Sequence, residues 1–260
     1  MLLTIDAGNT RTKWAIFDRH GEVTRHGACV NDQLSSIDLS PEPLGYQRVI
    51  ISNVAGNTHA LRLENFLSAH HLPVIWVKAS NEACNVINSY IDAETLGTDR
   101  WAALIAAWHI KHAACVVVNA GTAVTVDALH KQPGNNQQGE FLGGMILPGL
   151  NLMQTSLGLS TAQLPVQARM PDFSESTFAD IFAKSTIQAI NTGTIHAIIG
   201  AIEHMANALE AKCGQTPFIV ISGGDAALIQ NYLTDAVTNP TVIVDNLVLK
   251  GLYLLERSEQ

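Results

Sequence analysis

"LLTIDAGNTRTKWAIF", residues 2–17, sets an apolar run against Asp6-Ala7-Gly8-Asn9-Thr10 and resumes as Trp14-Ala15-Ile16-Phe17. Locally it reads as a β-hairpin, because Gly and Asn tolerate the positive φ that tight turns require. The same residues suit an anion: glycine lets backbone N–H groups approach closely, and small hydroxyl and amide side chains add donors. Residues 115–129, "CVVVNAGTAVTVDAL", repeat the pattern with Asn119 where the first copy has Asp6. A strand, a small-residue turn and a strand at the head of each half imply an α/β chain of two like halves, each a mixed sheet flanked by helices. The boundary falls near residues 112–115, without a Pro/Gly/Ser linker. This places an N-terminal domain over 1–114 and a C-terminal domain over 115–260.

The 260 residues suffice for one large domain or two compact ones. Hydrophobic residues make up 47% and charged residues 15%, which supplies a core and excludes a disordered composition. A formal net charge of -8 argues against a general nucleic-acid binder, which needs a basic surface. It leaves room for a nucleotide site, where a few N–H groups, one or two cations and a metal suffice. Cys29, Cys84, Cys115 and Cys213 are scattered and contain no C-x-x-C pair, so they are expected to be reduced. The start has no basic region, Asp6 interrupts its apolar run, and no stretch approaches the roughly 20 apolar residues of a membrane span. A soluble, cytoplasmic protein without a membrane partner is the expectation.

Apolar periodicity predicts strands over 2–6, 12–18, 22–30, 48–55 and 73–79, with a helix over 57–70 and a polar loop or poorly formed helix over 31–47. Residues 81–94 are irregular. Leu104, Ile105 and Trp108 share one face of a helix that starts near Arg100. Strands at 115–119 and 123–129 precede a Gly/Asn/Gln-rich loop at 133–139, and helices are expected over 149–158, 175–191 and 193–212. The chain then runs through strand 217–224, helix 226–234, strand 241–245 and a short closing helix.

Gly8, Asn9 and Thr10, with Lys13 just beyond, supply what a phosphate-binding turn needs. Asp6 at the strand end suits Mg²⁺, which takes one or two carboxylates beside phosphate oxygens. Neither a Walker A loop nor G-x-G-x-x-G is present. "ISGGDA", residues 221–226, is a third Gly-rich turn, readable as plain strand-to-helix geometry or as a surface for a nucleotide at a helix N-terminus. "GTDR", residues 97–100, places Asp99 beside Arg100 at a helix start. Asp99 or Thr98 then either caps the helix, or Asp99 serves as the base that phosphoryl transfer to an alcohol requires. Arg100 either orients an anionic substrate or is a surface charge. His109 with His112 and the His70-His71 pair lack metal-ligand spacing, no G-x-S-x-G or Cys/His signature points to acyl transfer, and Trp101 and Trp108 read as core.

In order along the chain, "DAGNTRTK" (6–13), "GTDR" (97–100), "NAGTAVTVD" (119–127), "GGMILPGL" (143–150) and "SGGDA" (222–226) resemble the motifs of type III pantothenate kinases, a family that includes proteins described as Bvg accessory factors. The likeness runs from Met1 to about residue 251. It implies two RNase H-like domains of the acetate and sugar kinase/Hsp70/actin superfamily, with ATP in the cleft between them. On that likeness Asp6, Gly8, Asn9, Thr10 and Lys13 are the first phosphate motif, Gly121 and Thr122 the second, and Gly223 and Gly224 lie near the adenosine. Asp99 is implied as general base. Tyr90, Gly97, Thr98, Arg100 and Thr186 are implied to line the pantothenate site, Arg100 pairing with the substrate carboxylate. Ser185 stands where the family usually has Asn before that threonine.

The resemblance further implies a homodimer that uses Mg²⁺, through Asp6, and a monovalent cation, K⁺ or NH4⁺. Asn119 replaces the family aspartate that helps to hold the monovalent ion, so weakened cation affinity on an intact fold is expected. The implied reaction transfers the γ-phosphoryl group of ATP to pantothenate, giving 4'-phosphopantothenate, the first step of coenzyme A biosynthesis. Two alternatives stand beside it. One is a catalytically weak nucleotide-binding regulator of the accessory-factor type, and the other is a different small-molecule kinase of the superfamily.

Overall fold

The opening stretch forms β1 (Leu2–Ala7) and β2 (Arg11–Phe17), paired antiparallel so that Asp6 faces Lys13 across the ladder. The computed structural model describes residues 1–37, 48–68, 73–132, 134, 137–160 and 181–258. These fall into two compact units, Met1–Ala113 with Leu129–Gly143 and Asn246–Gln260, and Ala114–Ala128 with Gly144–Asp245.

In the first unit, β3 (Val23–Val30) follows β2 antiparallel, while β4 (Arg48–Asn53) and β5 (Val74–Trp76) extend the sheet on the far side of β1 in parallel. The strand order is β3-β2-β1-β4-β5. Every residue of β1 is buried, which explains its unbroken apolar run, because a central strand is covered on both faces. Parallel strands need a crossover, and α1 (Asn57–Ser68) supplies it between β4 and β5, with Leu63 and Leu67 buried beneath it. A helix α2 (Thr98–Lys111) buries everything from Arg100 to Trp108, and α6 (Leu247–Ser258) packs against it. Its two tryptophans are core, as their spacing indicated.

The second unit repeats this plan. β8 (Cys115–Ala120) and β9 (Ala123–Lys131) are joined by two residues, so they run antiparallel. Next come β10 (Gly139–Pro148), β11 (Phe218–Ser222) and β12 (Thr241–Ile243), in the order β12-β11-β8-β9-β10, with β11 parallel to β8 and β12. Numbered within each half, the first sheet and these five strands of the second therefore read 3-2-1-4-5. The helices are α3 (Leu150–Ser160), α4 (Thr186–Cys213) and α5 (Ala226–Ala236). The first residues of β10 lie in the first unit, where they pair in parallel with β7 (Val86–Asn88), itself antiparallel to β6 (Glu82–Ala83).

Several elements differ from the expectation. The helices read as 193–212 and the end of 175–191 are one continuous helix from Thr186. A glycine at 193 costs about 1 kcal/mol in a helix interior, which the buried Ile195, Ile198, Ile199 and Ile202 offset. Residues 181–185 precede that helix, and 175–180 lie outside the described residues. The strand read over 73–79 is confined to Val74–Trp76. The irregular 81–94 segment contains two short strands and a 3-10 turn, and the segment before Gly149 is the long strand β10. Of the 31–47 stretch, Asn31–Ser36 is a 3-10 helix and 38–47 lies outside the described residues, as do His70 and His71. The four cysteines are reduced, Cys29 and Cys115 buried.

Candidate functional site

In the first unit, the carboxyl ends of the parallel strands β1 and β4 place Asp6 level with Ser52, the edge where open α/β sheets bind ligands. Ser52 Oγ lies 2.8 Å from Thr98 Oγ1, which pins the first residue of α2 to the sheet. Asp99 follows, partly buried in the first helical turn, where the helix dipole favours a negative charge. It does not cap the helix across the turn: Gly97 holds the cap position without a side-chain bond, and the Asp99 carboxylate accepts the N–H of Arg100 at 2.8 Å. A Cβ on residue 97 would meet Asp99 Oδ1 at 2.8 Å, so glycine leaves the carboxylate its space.

Asp6 feels the charge of Asp99. Burial, the neighbouring Asp99 charge and, in the opposite sense, Lys13 bring Asp6 to about 7 from an ordinary 3.8. Burial also pushes Asp99 up, against the pull of the Arg100 N–H and guanidinium. A buried and a partly buried carboxylate, both of reluctant charge, fit a divalent cation that takes one or two protein oxygens and completes its shell elsewhere. Among the described residues no group of three or more His, Cys, Asp or Glu side chains forms a closed cage.

Arg100 is not a surface charge; it is 5% exposed. Its Nη1 donates to the Tyr90 hydroxyl at 2.8 Å, and its guanidinium carbon sits 5.6 Å from the Tyr90 ring centroid and 5.7 Å from that of Phe141. The pairing of β10 with β7 sets Phe141 opposite Asn88, whose amide oxygen accepts the Tyr90 N–H at 3.1 Å. A planar cation stacked on two rings is held in orientation as well as position. Phe141 and Ser52 were not singled out from the sequence. The signal for Ser52 was present, since a lone hydroxyl ends the apolar run of "RVIIS".

The first turn, Gly8-Asn9-Thr10, bends between β1 and β2, with Asn9 and Thr10 exposed and the Gly8 N–H bonded to the Arg11 carbonyl at 3.1 Å. Behind it Asn31 donates from Nδ2 to the Gly8 and Asn9 carbonyls at 2.9 and 3.0 Å, a support that local sequence does not reveal.

In the second unit Asn119 lies level with Ser222 on β11, repeating the Asp6–Ser52 register with an amide in place of the carboxylate. Gly121 and Thr122 form the exposed two-residue turn after it. The Thr122 carbonyl accepts the Gly149 N–H at 2.8 Å, and a Cβ on residue 149 would strike the Gly121 carbonyl. The "LPG" segment thus clamps the turn from below, a role its sequence alone did not disclose. Gly223 has φ +109° and lies so close to Ala120 that a Cβ would strike that carbonyl, whereas Gly224 faces open space. Asp225 heads α5, its carboxyl raised by burial. Thr186 is exposed at the start of α4, where the Ser185 hydroxyl caps the helix by accepting the Gln188 N–H at 3.3 Å. Apart from Thr186, which stands at the start of α4, the predicted residues gather into two groups, one at the strand ends of each unit. Tyr90, Gly97, Thr98, Asp99 and Arg100 share the first with Asp6.

The profile of the type III pantothenate kinase family matches residues 2–208 of this chain. A type III pantothenate kinase of Methylobacillus flagellatus is 40% identical over 259 residues, covering 98% of each chain. Among solved structures, a protein from Campylobacter jejuni named for the Baf family of transcriptional activators aligns with a TM-score of 0.59 at 20% identity, covering 99% of this chain and 98% of that one. One named for 2-dehydro-3-deoxygalactonokinase, from Sinorhizobium meliloti, gives 0.56 at 14% over 100% and 99%. At such identities these two carry the fold alone: a mixed α/β fold of two sheets.

Proposed function

The chain belongs to the type III pantothenate kinase family, and we propose that it transfers the γ-phosphoryl group of ATP to pantothenate with Asp99 as general base. As a pantothenate kinase it produces 4'-phosphopantothenate for coenzyme A biosynthesis. The observation that carries the assignment of the base is the Asp99 carboxylate in the first turn of α2, raised by burial, beside a guanidinium that the Tyr90 hydroxyl fixes. Asp99 takes the proton from the primary hydroxyl as that oxygen attacks the γ-phosphorus, and ADP departs with the bonding electrons of the broken P–O bond.

Arg100 binds the pantothenate carboxylate, with Tyr90, Gly97 and Thr98 shaping that pocket and Thr186 contacting the substrate. Asp6, Gly8, Asn9, Thr10 and Lys13 hold phosphates, as do Gly121 and Thr122, while Gly223 and Gly224 lie against the adenosine. A kinase of this family uses a divalent metal; we assign Mg²⁺, held through Asp6, where it supplies positive charge to the transferring phosphoryl group. Asn119 offers a monovalent cation, K⁺ or NH4⁺, only a neutral carbonyl oxygen. A domain division at 114/115, a homodimer and a cytoplasmic location complete the proposal. No helix among the described residues is long and apolar enough to cross a membrane.

The test is Asp99→Ala in an ADP-release assay with pantothenate, beside calorimetric titration of ATP. Losing a general base lowers kcat by about 10²–10⁴-fold, with ATP affinity retained. Full turnover would refute the assignment.

A further inference from the structure

Behind the first phosphate turn lies a chain of hydrogen bonds with one direction. Thr12, wholly buried on β2, donates its hydroxyl to Asn31 Oδ1 at 3.0 Å and lies 2.8 Å from His59 Nε2. A hydroxyl has one proton, and Asn31 takes it, so His59 is the donor through Nε2–H. A neutral imidazole with its hydrogen on Nε2 leaves Nδ1 bare, and Nδ1 is buried without a hydrogen-bond partner among the described residues, in a residue 5% exposed. A cationic ring would bury a second N–H with no acceptor for it among the described residues. Burial and Arg62 hold His59 below its usual value, against the pull of Asp32, which is ion-paired to Arg62 at 2.6 Å. At the far end, both hydrogens of the Asn31 amide go to the Gly8 and Asn9 carbonyls.

Carbonyl oxygens carry the wrong sign for an anion, so a phosphate turn must keep them turned away while its N–H groups converge. Asn31 holds two of them, Thr12 fixes the Asn31 amide in the orientation that does so, and His59 fixes Thr12. We propose that His59 and Asn31, acting through Thr12, are positioning residues that shape the Gly8–Thr10 turn for the phosphates of ATP; this rests on the assignment of that turn to phosphate binding.

The experiment measures kcat and both KM values in the full chain for Asn31→Ala, His59→Leu and His59→Gln, with Thr10→Ala reporting on the turn itself. Asn31→Ala and His59→Leu should raise KM for ATP about tenfold, the loss of one or two hydrogen bonds. KM for pantothenate should stay within about twofold on the same reasoning. His59→Gln, whose amide still donates an N–H, should recover most of the loss. An unchanged KM for ATP in Asn31→Ala and His59→Leu, with Thr10→Ala raising it, overturns the inference and leaves the turn assignment standing. No change in any of the three removes that assignment and the inference with it. Equal increases in both KM values mean a merely structural role and also overturn it. If His59→Leu does not fold, Asn31→Ala decides, because the Asn31 side chain is only half-buried.

Discussion

Asp6 is the residue whose chemistry and stability pull apart most sharply. The residue is 8% exposed and its carboxyl rises from 3.8 to about 7. Between about pH 4 and pH 7 the native state therefore binds a proton that the unfolded chain has released. Stability contributed by this group must fall as pH rises through that window, and no difference remains below pH 4, where both states are protonated. The full shift is worth about 4 kcal/mol, and about 2–4 kcal/mol once sharing with Asp99 is allowed for. Asp6→Asn cannot ionise, so it escapes this loss.

Thermal unfolding of both proteins, in chelator and without nucleotide, should give equal midpoints near pH 4. At pH 8 the variant should be the more stable by roughly 5–15 °C, at about 2–4 °C per kcal/mol for a chain of this size. Adding Mg²⁺ at pH 8 should raise the wild type alone and narrow the gap, while the variant loses turnover. Stability curves that run parallel from pH 4 to pH 8 would refute the reasoning, because they would mean that the Asp6 carboxyl titrates alike in folded and unfolded chains.

Arg100→Lys removes the fork that reaches the Tyr90 hydroxyl and stacks on two rings. KM for pantothenate should rise by about 10–100-fold with little change in KM for ATP, measured by steady-state kinetics. Gly223→Ala drives a Cβ into the Ala120 carbonyl at φ +109° and should cost at least about 1–3 kcal/mol in denaturant unfolding, with weaker ATP binding by calorimetry. Asn119→Asp restores a negative charge at the position equivalent to Asp6 and should lower the K⁺ concentration that gives half-maximal activity. Identical K⁺ titrations of the two proteins would sink that expectation.

Much of the frame was legible in the chain itself. The strand–turn–strand signal recurs because a tight turn is local chemistry, written in Gly, Asn and Thr, and a central strand advertises its burial as an unbroken apolar run. Hence the two like sheets, the turns at 8–10 and 121–122 and the helix carrying Asp99 follow from neighbours in sequence. What stayed hidden in the fold was also local in cause: Gly193 looks like a helix break until the isoleucines around it are seen to be buried.

Which side chains meet was decided by tertiary structure alone. Ser52 reaches Thr98 across 46 residues because β4 lies parallel to β1 and level with Asp6. Phe141 comes beneath Arg100 only through the register of β10 on β7. Asn31 closes on the first turn from a 3-10 segment more than 20 positions away. The acidity of Asp6 belongs to the same class, since it arises from a loss of water, and then from a second carboxylate, that exist only once the strands and the helix have packed. Sequence specified the turns and the residues offered at them, because φ preference and hydrophobic period act over a few positions. The fold decided their partners and their charge, because hydrogen bonds, stacking and desolvation act through space.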